Sequence, residues 1–296
     1  MVKLNYAMYV FCMLIWGLNF IAVKIQGTEA ALEVSLFYRS LIAFVLFYML
    51  LKIKRLPLRK AHTNYGTIIG FGICNFAVSY LLLYYGTIYS TAALVTLIFS
   101  LKAITTPIFL RIVFKTPLQN KIYIGGALGL LSVVIILYPD LHTISSSFLL
   151  GIGLAAIGTI VTSIGDVFSY YNNEKNIDPV RANTIGMLVA TLSQLVFALA
   201  TAKDFVFPTS LHYWGGLLYL AIFASFIAWL LYLLLVKHMG AAESSYMVAL
   251  FPAIGGFASV VIGESALSWN LVLGIVLAVL GAFIALSKKK KSEFPG

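Results

Sequence analysis

The sequence predicts an all-α membrane protein with ten transmembrane helices arranged as two inverted five-helix repeats. Three observations carry that expectation: the composition, the number and length of the apolar segments, and a likeness between the halves of the chain. Of 296 residues, 61% are hydrophobic and 10% charged, against about 25% charged in soluble domains. A soluble domain of this length cannot cover so much apolar surface, because a large share of any folded surface faces solvent. Lipid is therefore the solvent for much of the chain. The formal net charge of +10 does not indicate nucleic acid, because the basic residues come in short runs between apolar stretches, as membrane topology arranges them. The two cysteines, Cys12 and Cys74, lie in apolar stretches and offer neither a disulfide framework nor metal-ligand spacing.

A spanning helix needs about 20 mostly apolar residues, since the hydrocarbon core is about 30 Å thick. Ten segments qualify: 5–24, 31–51, 65–87, 91–113, 121–138, 148–171, 181–201, 212–236, 241–262 and 269–287. They are too long, and too irregular in their alternation, to be barrel strands. The first imitates a signal peptide, but Trp16, Gly17 and Asn19 interrupt its apolar run and no small-x-small cleavage site follows, so it reads as a retained helix. The second carries Arg39, the third Tyr80 and Tyr84, and the fourth Lys102 and Pro107. In the fifth, Gly125, Gly126 and Gly129 allow close helix approach. The sixth carries Asp166, the seventh has no ionisable residue past Arg181 at its start, the eighth carries Trp229, and the ninth Tyr246 and Pro252. The tenth runs into the lysines at 288–291.

Lysine and arginine set the orientation. With the N-terminus inside, sixteen of the twenty fall on the inner side: Lys3, the cluster at 52–60, Arg111, Lys115, Lys121, Lys175, Arg181, Lys237 and the run at 288–291. Only Lys24 and Lys203 fall outside, while Arg39 and Lys102 lie within predicted helices. Both termini are therefore expected in the cytoplasm of a cell whose inner (plasma) membrane holds the protein. Residues 288–296 read as a solvated basic tail that anchors the last helix at anionic lipid.

The halves, 1–140 and 141–287, resemble each other at an offset of about 149 residues. Tyr80 then falls on Trp229, Thr91-Ala92-Ala93 on Gly240-Ala241-Ala242, Lys115 on Glu264 and Gly125 on Gly274. Upstream, Gly17-Leu18-Asn19-Phe20 lies near Gly165-Asp166-Val167-Phe168. Five is odd, so a duplicated half re-enters the membrane upside down. Inverted repeats of this kind underlie alternating access, with the site at the repeat interface near the midplane.

The segment from His238 to Leu286 resembles the EamA-type half of the drug/metabolite transporter superfamily. It carries Gly240-Ala241-Ala242, Pro252, Gly263-Glu264, Gly274 and Gly281 in that family's order. In the first half, Trp16-Gly17-Leu18-Asn19-Phe20 looks like the family's WGxNF-type first helix, Arg39 matches a frequent arginine, and Tyr84-Tyr85-Gly86 through Thr91-Ala92-Ala93 matches the third-to-fourth helix junction. Lys115 and Lys102 depart from the pattern, which has glutamate and an apolar residue there. The resemblance implies a secondary transporter without nucleotide hydrolysis, often an exporter of amino acids or related metabolites.

An ionisable side chain in the hydrocarbon region costs about 2.5–3.5 kcal/mol or more, so it faces a cavity or a partner. Arg39, Lys102 and Asp166 lie well inside predicted spans, two cations against one anion. That surplus suits a carboxylate or phosphate on a small-molecule substrate, with arginine as a flat fork and lysine as a point charge. The plainer reading pairs Arg39 with Asp166 or a backbone carbonyl for packing alone. Asp166 is either a proton-coupling acid or a charge partner; small multidrug transporters of the same superfamily use a first-helix glutamate, and this first helix has no acid. Trp16, Asn19, Tyr80, Tyr84, Trp229 and Tyr246 would suit a cavity wall, or core packing in the case of any single aromatic. Pro107 and Pro252 would bend their helices and serve as hinges, or only permit close packing. No phosphate-binding GxxxxGK[ST] loop occurs, and His62, His142, His212 and His238 lie in loops or at helix ends, so no cofactor, metal or enzymatic centre is expected. The rival readings are a carrier of phosphorylated metabolites or nucleotide sugars and, from other classes, a membrane enzyme or a channel.

Overall fold

The computed structural model describes residues 2–59, 63–116, 120–138, 145–239 and 246–286. Every regular element among them is helical. Helices α1 (Val2–Gly17) and α2 (Asn19–Gln26) meet at Leu18 with a bend of 41°. There follow α3 (Leu32–Ile53), α4 (Tyr65–Tyr89), α5 (Ala92–Phe114), α6 (Lys121–Leu137), α7 (Ser146–Glu174), α8 (Pro179–Ala200), α9 (Leu211–Leu235), α10 (Met247–Val261) and α11 (Trp269–Leu286). Six of these (α3, α4, α5, α7, α8 and α9) are long and apolar enough to cross a membrane, α1 with α2 makes a seventh, and α6, α10 and α11 are shorter apolar helices. The elements overlay the predicted segments in order, except that residues 241–245 of the ninth and 287 of the tenth lie outside the described residues.

Polar residues start these helices by accepting from the backbone N–H groups that the first turn leaves unpaired. Asn64 caps α4, Thr91 α5, Ser145 α7 and Ser210 α9. Asp178 caps α8 and is followed by Pro179, whose missing N–H is not needed at a first helical position.

Helices that correspond by sequence pack against one another and run antiparallel. On α3 and α8, Tyr38 OH donates to Val206 O at 3.3 Å at one end, and Arg181 Nε donates to Pro57 O at 2.7 Å at the other. On α6 and α11, a Cβ at Gly125 would strike Gly281 O and one at Gly281 would strike Gly125 O, while Asn270 Nδ2 donates to Ile135 O at 3.1 Å further along. The start of α5 meets the segment after α10, where Ala92 N donates to Glu264 Oε2 at 2.9 Å, and Ala103 clusters with Ala249. The remaining contacts are reciprocal too: α4 packs on α7 as α9 packs on α1, and α4 touches α8 as α9 touches α3. An inverted duplication requires this pattern.

Two irregularities recur in both halves. A π-helical stretch occupies Ile73–Val78 within α4 and Tyr219–Ile227 within α9. Both α5 and the α10 segment are interrupted, at Leu101 and Leu250 respectively, again 149 residues apart. Of the two predicted hinge prolines, Pro107 sits inside α5 beyond the interruption, whereas Pro252 lies in the first turn of Phe251–Val261, where it removes no internal hydrogen bond. The largest core cluster lies between the halves and includes Phe47, Phe71, Phe76, Met187 and Trp229.

Candidate functional site

Arg39 lies one-third of the way along α3 and is 2% exposed. Its fork is held by groups from three other helices. Nε donates to Ser225 Oγ at 2.9 Å on α9, Nη1 to Tyr84 OH at 3.2 Å on α4, and Nη2 to Asn19 Oδ1 at 3.4 Å at the head of α2. The guanidinium also stacks over the Tyr80 ring, 4.1 Å from its centroid, where the ring quadrupole attracts it. Asn19 reaches this point because the helix breaks at Leu18, which turns α2 away from the axis of α1.

Tyr80 meets Phe76, Phe76 meets Trp229, and Trp229 meets Trp16, in edge contacts of 5.8, 5.3 and 5.4 Å between centroids. The Trp16 indole N–H donates at 2.9 Å to Ala224 O, a carbonyl in the π-helical stretch of α9. Gln194 Nε2 likewise donates at 2.8 Å to Ala77 O in the stretch of α4. A π turn loosens the i to i−4 ladder, and neighbouring helices use the carbonyls so offered. Thus Trp16, Asn19, Arg39, Tyr80, Tyr84 and Trp229 form one connected set at the junction of the halves. Trp16, Asn19 and Tyr80 keep partial exposure, while Arg39 and Tyr84 are enclosed. The side chain of Tyr246 lies outside the described residues.

Lys102 and Asp166 form a second locus. Lys102 Nζ lies 3.0 Å from Asp166 Oδ2, with side-chain exposures of 17% and 20%. Thr106 donates to the same carboxylate at 2.9 Å, and Thr105 bonds Ser163 at 2.6 Å, so α5 and α7 are joined by three polar links. The plainer expectation for Arg39, pairing with Asp166, is therefore replaced: Asp166 pairs with Lys102, and Arg39 has only neutral partners among the described residues. Which partner Asp166 takes depends on the rotation of α3 and α5 about their axes, a tertiary property.

Several groups escaped the sequence reading. Ser225 stands one helical turn before Trp229 on the same helix, and that i, i+4 spacing is the signal that could have found it. Gln26 accepts from Tyr84 OH at 3.3 Å and extends the Arg39 network toward the end of α2. Glu33, near the start of α3, is 2% exposed, so Asp166 is not the sole acid within a predicted span. Lys24 bridges Glu264 Oε1 at 2.9 Å and Ser90 O at 2.7 Å, and Glu264 Oε2 accepts from Ser259 at 2.8 Å as well as from Ala92 N. This clasp ties α2, the α4–α5 junction and the end of α10 together.

Comparison with known proteins agrees with this architecture. The model of the EamA-like transporter family matches the chain twice, over residues 4–138 and 149–287. An "uncharacterized transporter" of Clostridium kluyveri is 24% identical over 275 residues, covering 90% of this chain and 87% of its own. The "uncharacterized transporter YyaM" of Bacillus subtilis is 26% identical over 251 residues, covering 79% and 76%. A crystal structure at 15% identity superposes with a TM-score of 0.70 over 96% of both chains, which speaks to the fold. With both halves matched, in a multi-pass membrane protein whose corresponding helices cross antiparallel, the chain belongs to the EamA-like transporter family, within the drug/metabolite transporter superfamily.

Proposed function

We propose that the protein is a ten-span secondary transporter of the bacterial plasma membrane that carries a small carboxylate-bearing metabolite, amino acids being the first candidates, by alternating access. One observation carries the substrate class: Arg39 is enclosed at the junction of the halves and has no acidic partner among the described residues. A buried charge without a counter-charge is costly, and a substrate carboxylate arriving at the guanidinium supplies the compensation. Aromatic faces at Tyr80, Trp16 and Trp229 suit the apolar part of such a molecule. Because Asp166 already compensates Lys102, Arg39 is the one cation of these two loci left uncompensated among the described residues, which favours a singly charged carboxylate over a doubly charged phosphate ester. Export as the direction rests on the family resemblance.

The test is a metabolite screen with purified protein in liposomes, followed by Arg39 variants against the substrate found. Loss of charge-assisted hydrogen bonds worth about 1.5–3 kcal/mol weakens apparent affinity by roughly 10- to 100-fold in Arg39→Ala, with partial recovery in Arg39→Lys. Undiminished transport of an anionic substrate by Arg39→Ala, or a screen that returns only cations, would overturn the assignment.

A further inference from the structure

Gln26, the last residue of α2, is 1% exposed and continues the hydrogen-bond chain that starts at Arg39. Arg39 Nη1 donates to Tyr84 OH at 3.2 Å, and Tyr84 OH in turn donates to Gln26 Oε1 at 3.3 Å. These directions are forced. A guanidinium can only donate, so the single phenol hydrogen points to the side-chain carbonyl. The other half of the amide is stranded: Nε2 completes no hydrogen bond, although the Tyr213 phenol lies beside it on α9. A buried donor left unpaired is costly. The root of the side chain is fixed, because α9 runs so close that a Cβ at Gly216 would lie 2.8 Å from the Gln26 Cβ.

A glutamate at this position would remove the stranded donor. Its carboxylate has no hydrogen to leave unpaired, could accept from Tyr84 and Tyr213, and would bring a counter-charge within one hydroxyl of the guanidinium. The carbonyl end of α2 opposes a negative charge on its last residue, yet hydrogen bonds from two hydroxyls and a facing cation are the stronger effect. Lys24 does not alter this balance, because two residues turn a helix by about 200° and Glu264 holds it elsewhere. The amide is thus the less stable choice, and the one that leaves Arg39 uncompensated. A local rule broken in this way marks a functional position.

Resting on the transporter reading above, we propose that Gln26 is a positioning residue that sets the charge selectivity of the Arg39 site. It orients the Tyr84 hydroxyl as an acceptor for the guanidinium without neutralising it. The counter-charge is then left for the substrate to bring, so a carboxylate is taken in preference to an uncharged analogue of the same shape.

Two measurements test this. The first uses proteoliposomes with the carboxylate substrate returned by the screen and its uncharged primary amide. Gln26→Glu should lower the preference for the carboxylate over the amide by roughly tenfold or more, within the usual range of coupled sites. Gln26→Met, similar in length and uncharged, should keep that preference even where its rate falls. An unchanged preference in Gln26→Glu overturns the proposal, and so does an equal loss in Gln26→Met, which would make the effect one of packing. The second measurement needs no substrate, so it reports even if the transporter reading fails. Thermal midpoints in detergent are compared for wild type, Gln26→Glu, Arg39→Met and the double variant. Gln26→Glu should be more favourable, by roughly 2 °C or more, in the protein that retains Arg39 than in Arg39→Met. The same shift in both backgrounds overturns the proposal. So does a Gln26→Glu protein that fails to fold while Gln26→Met folds, because the acid would then have met no counter-charge.

Discussion

A guanidinium gripped by a serine, a tyrosine and an asparagine, with a phenol ring beneath it, is held in place without being neutralised. The lysine one locus away is treated oppositely, paired at 3.0 Å and braced by threonine. The difference predicts different mutational behaviour. Removing one member of a buried pair costs about 3–5 kcal/mol, and at exposures of 17% and 20% we expect less, about 1–3 kcal/mol. Asp166→Ala should therefore lower the thermal midpoint in detergent, and the double variant Lys102→Ala/Asp166→Ala should regain part of the loss, because it leaves no charge stranded. A double variant destabilised by the sum of the two single variants, Lys102→Ala and Asp166→Ala, would mean that the pair contributes nothing.

Between elements, a close backbone approach falls where α6 crosses α11, each presenting a glycine to the other's backbone. Neither helix can admit a Cβ without moving, and small residues at such crossings replace the hydrophobic drive that lipid withholds. Gly125→Leu should separate the helices, costing about 1–3 kcal/mol as overpacked interiors do, and be visible as a lower unfolding temperature; Gly126→Leu, whose Cβ would have open contact at 3.4 Å to Ile104, should cost less. Equal effects would place the crossing elsewhere. At this scale the sequence was informative wherever a property is local. Length and hydropathy of a segment belong to that segment, so the order of helices was readable, as was the repeat. Helix interruptions at Leu18 and Leu101 were not, because no proline stands at them, whereas Pro252 sits two residues past the one at Leu250. Arg39, Asn19, Tyr80 and Tyr84 were readable as candidates since hydrocarbon tolerates such groups only where they face protein; their common meeting point was not, since it depends on how four helices are rotated.

For the whole molecule, the Lys24–Glu264–Ala92 clasp joins parts of both halves at one end. By the repeat, Lys115 stands where Glu264 does in the other half, and a lysine has no acceptor to offer a helix N-terminus. Among the described residues the clasp is thus found at one end, and opening that end must break it. Glu264→Gln should raise the maleimide labelling rate of Ser90→Cys, in a background lacking Cys12 and Cys74, by about two- to fivefold, as a partly screened pair worth up to about 1 kcal/mol implies. An unchanged rate would remove the clasp from the mechanism. Labelling of both chain ends should occur only from the cytoplasmic side, as the lysine and arginine distribution requires.

The widened turns of α4 and α9 have a geometric consequence. Each residue advances an α-helix by about 100°, since about 3.6 complete a turn. One surplus residue wound into Ile73–Val78 therefore sets the azimuth of everything after it, including Tyr80 and Tyr84. Excising Cys74 would swing both phenols off the guanidinium without altering a single one of its neighbours. If the surplus residue travels along the helix instead, the same swing is available to the intact chain as a screw motion.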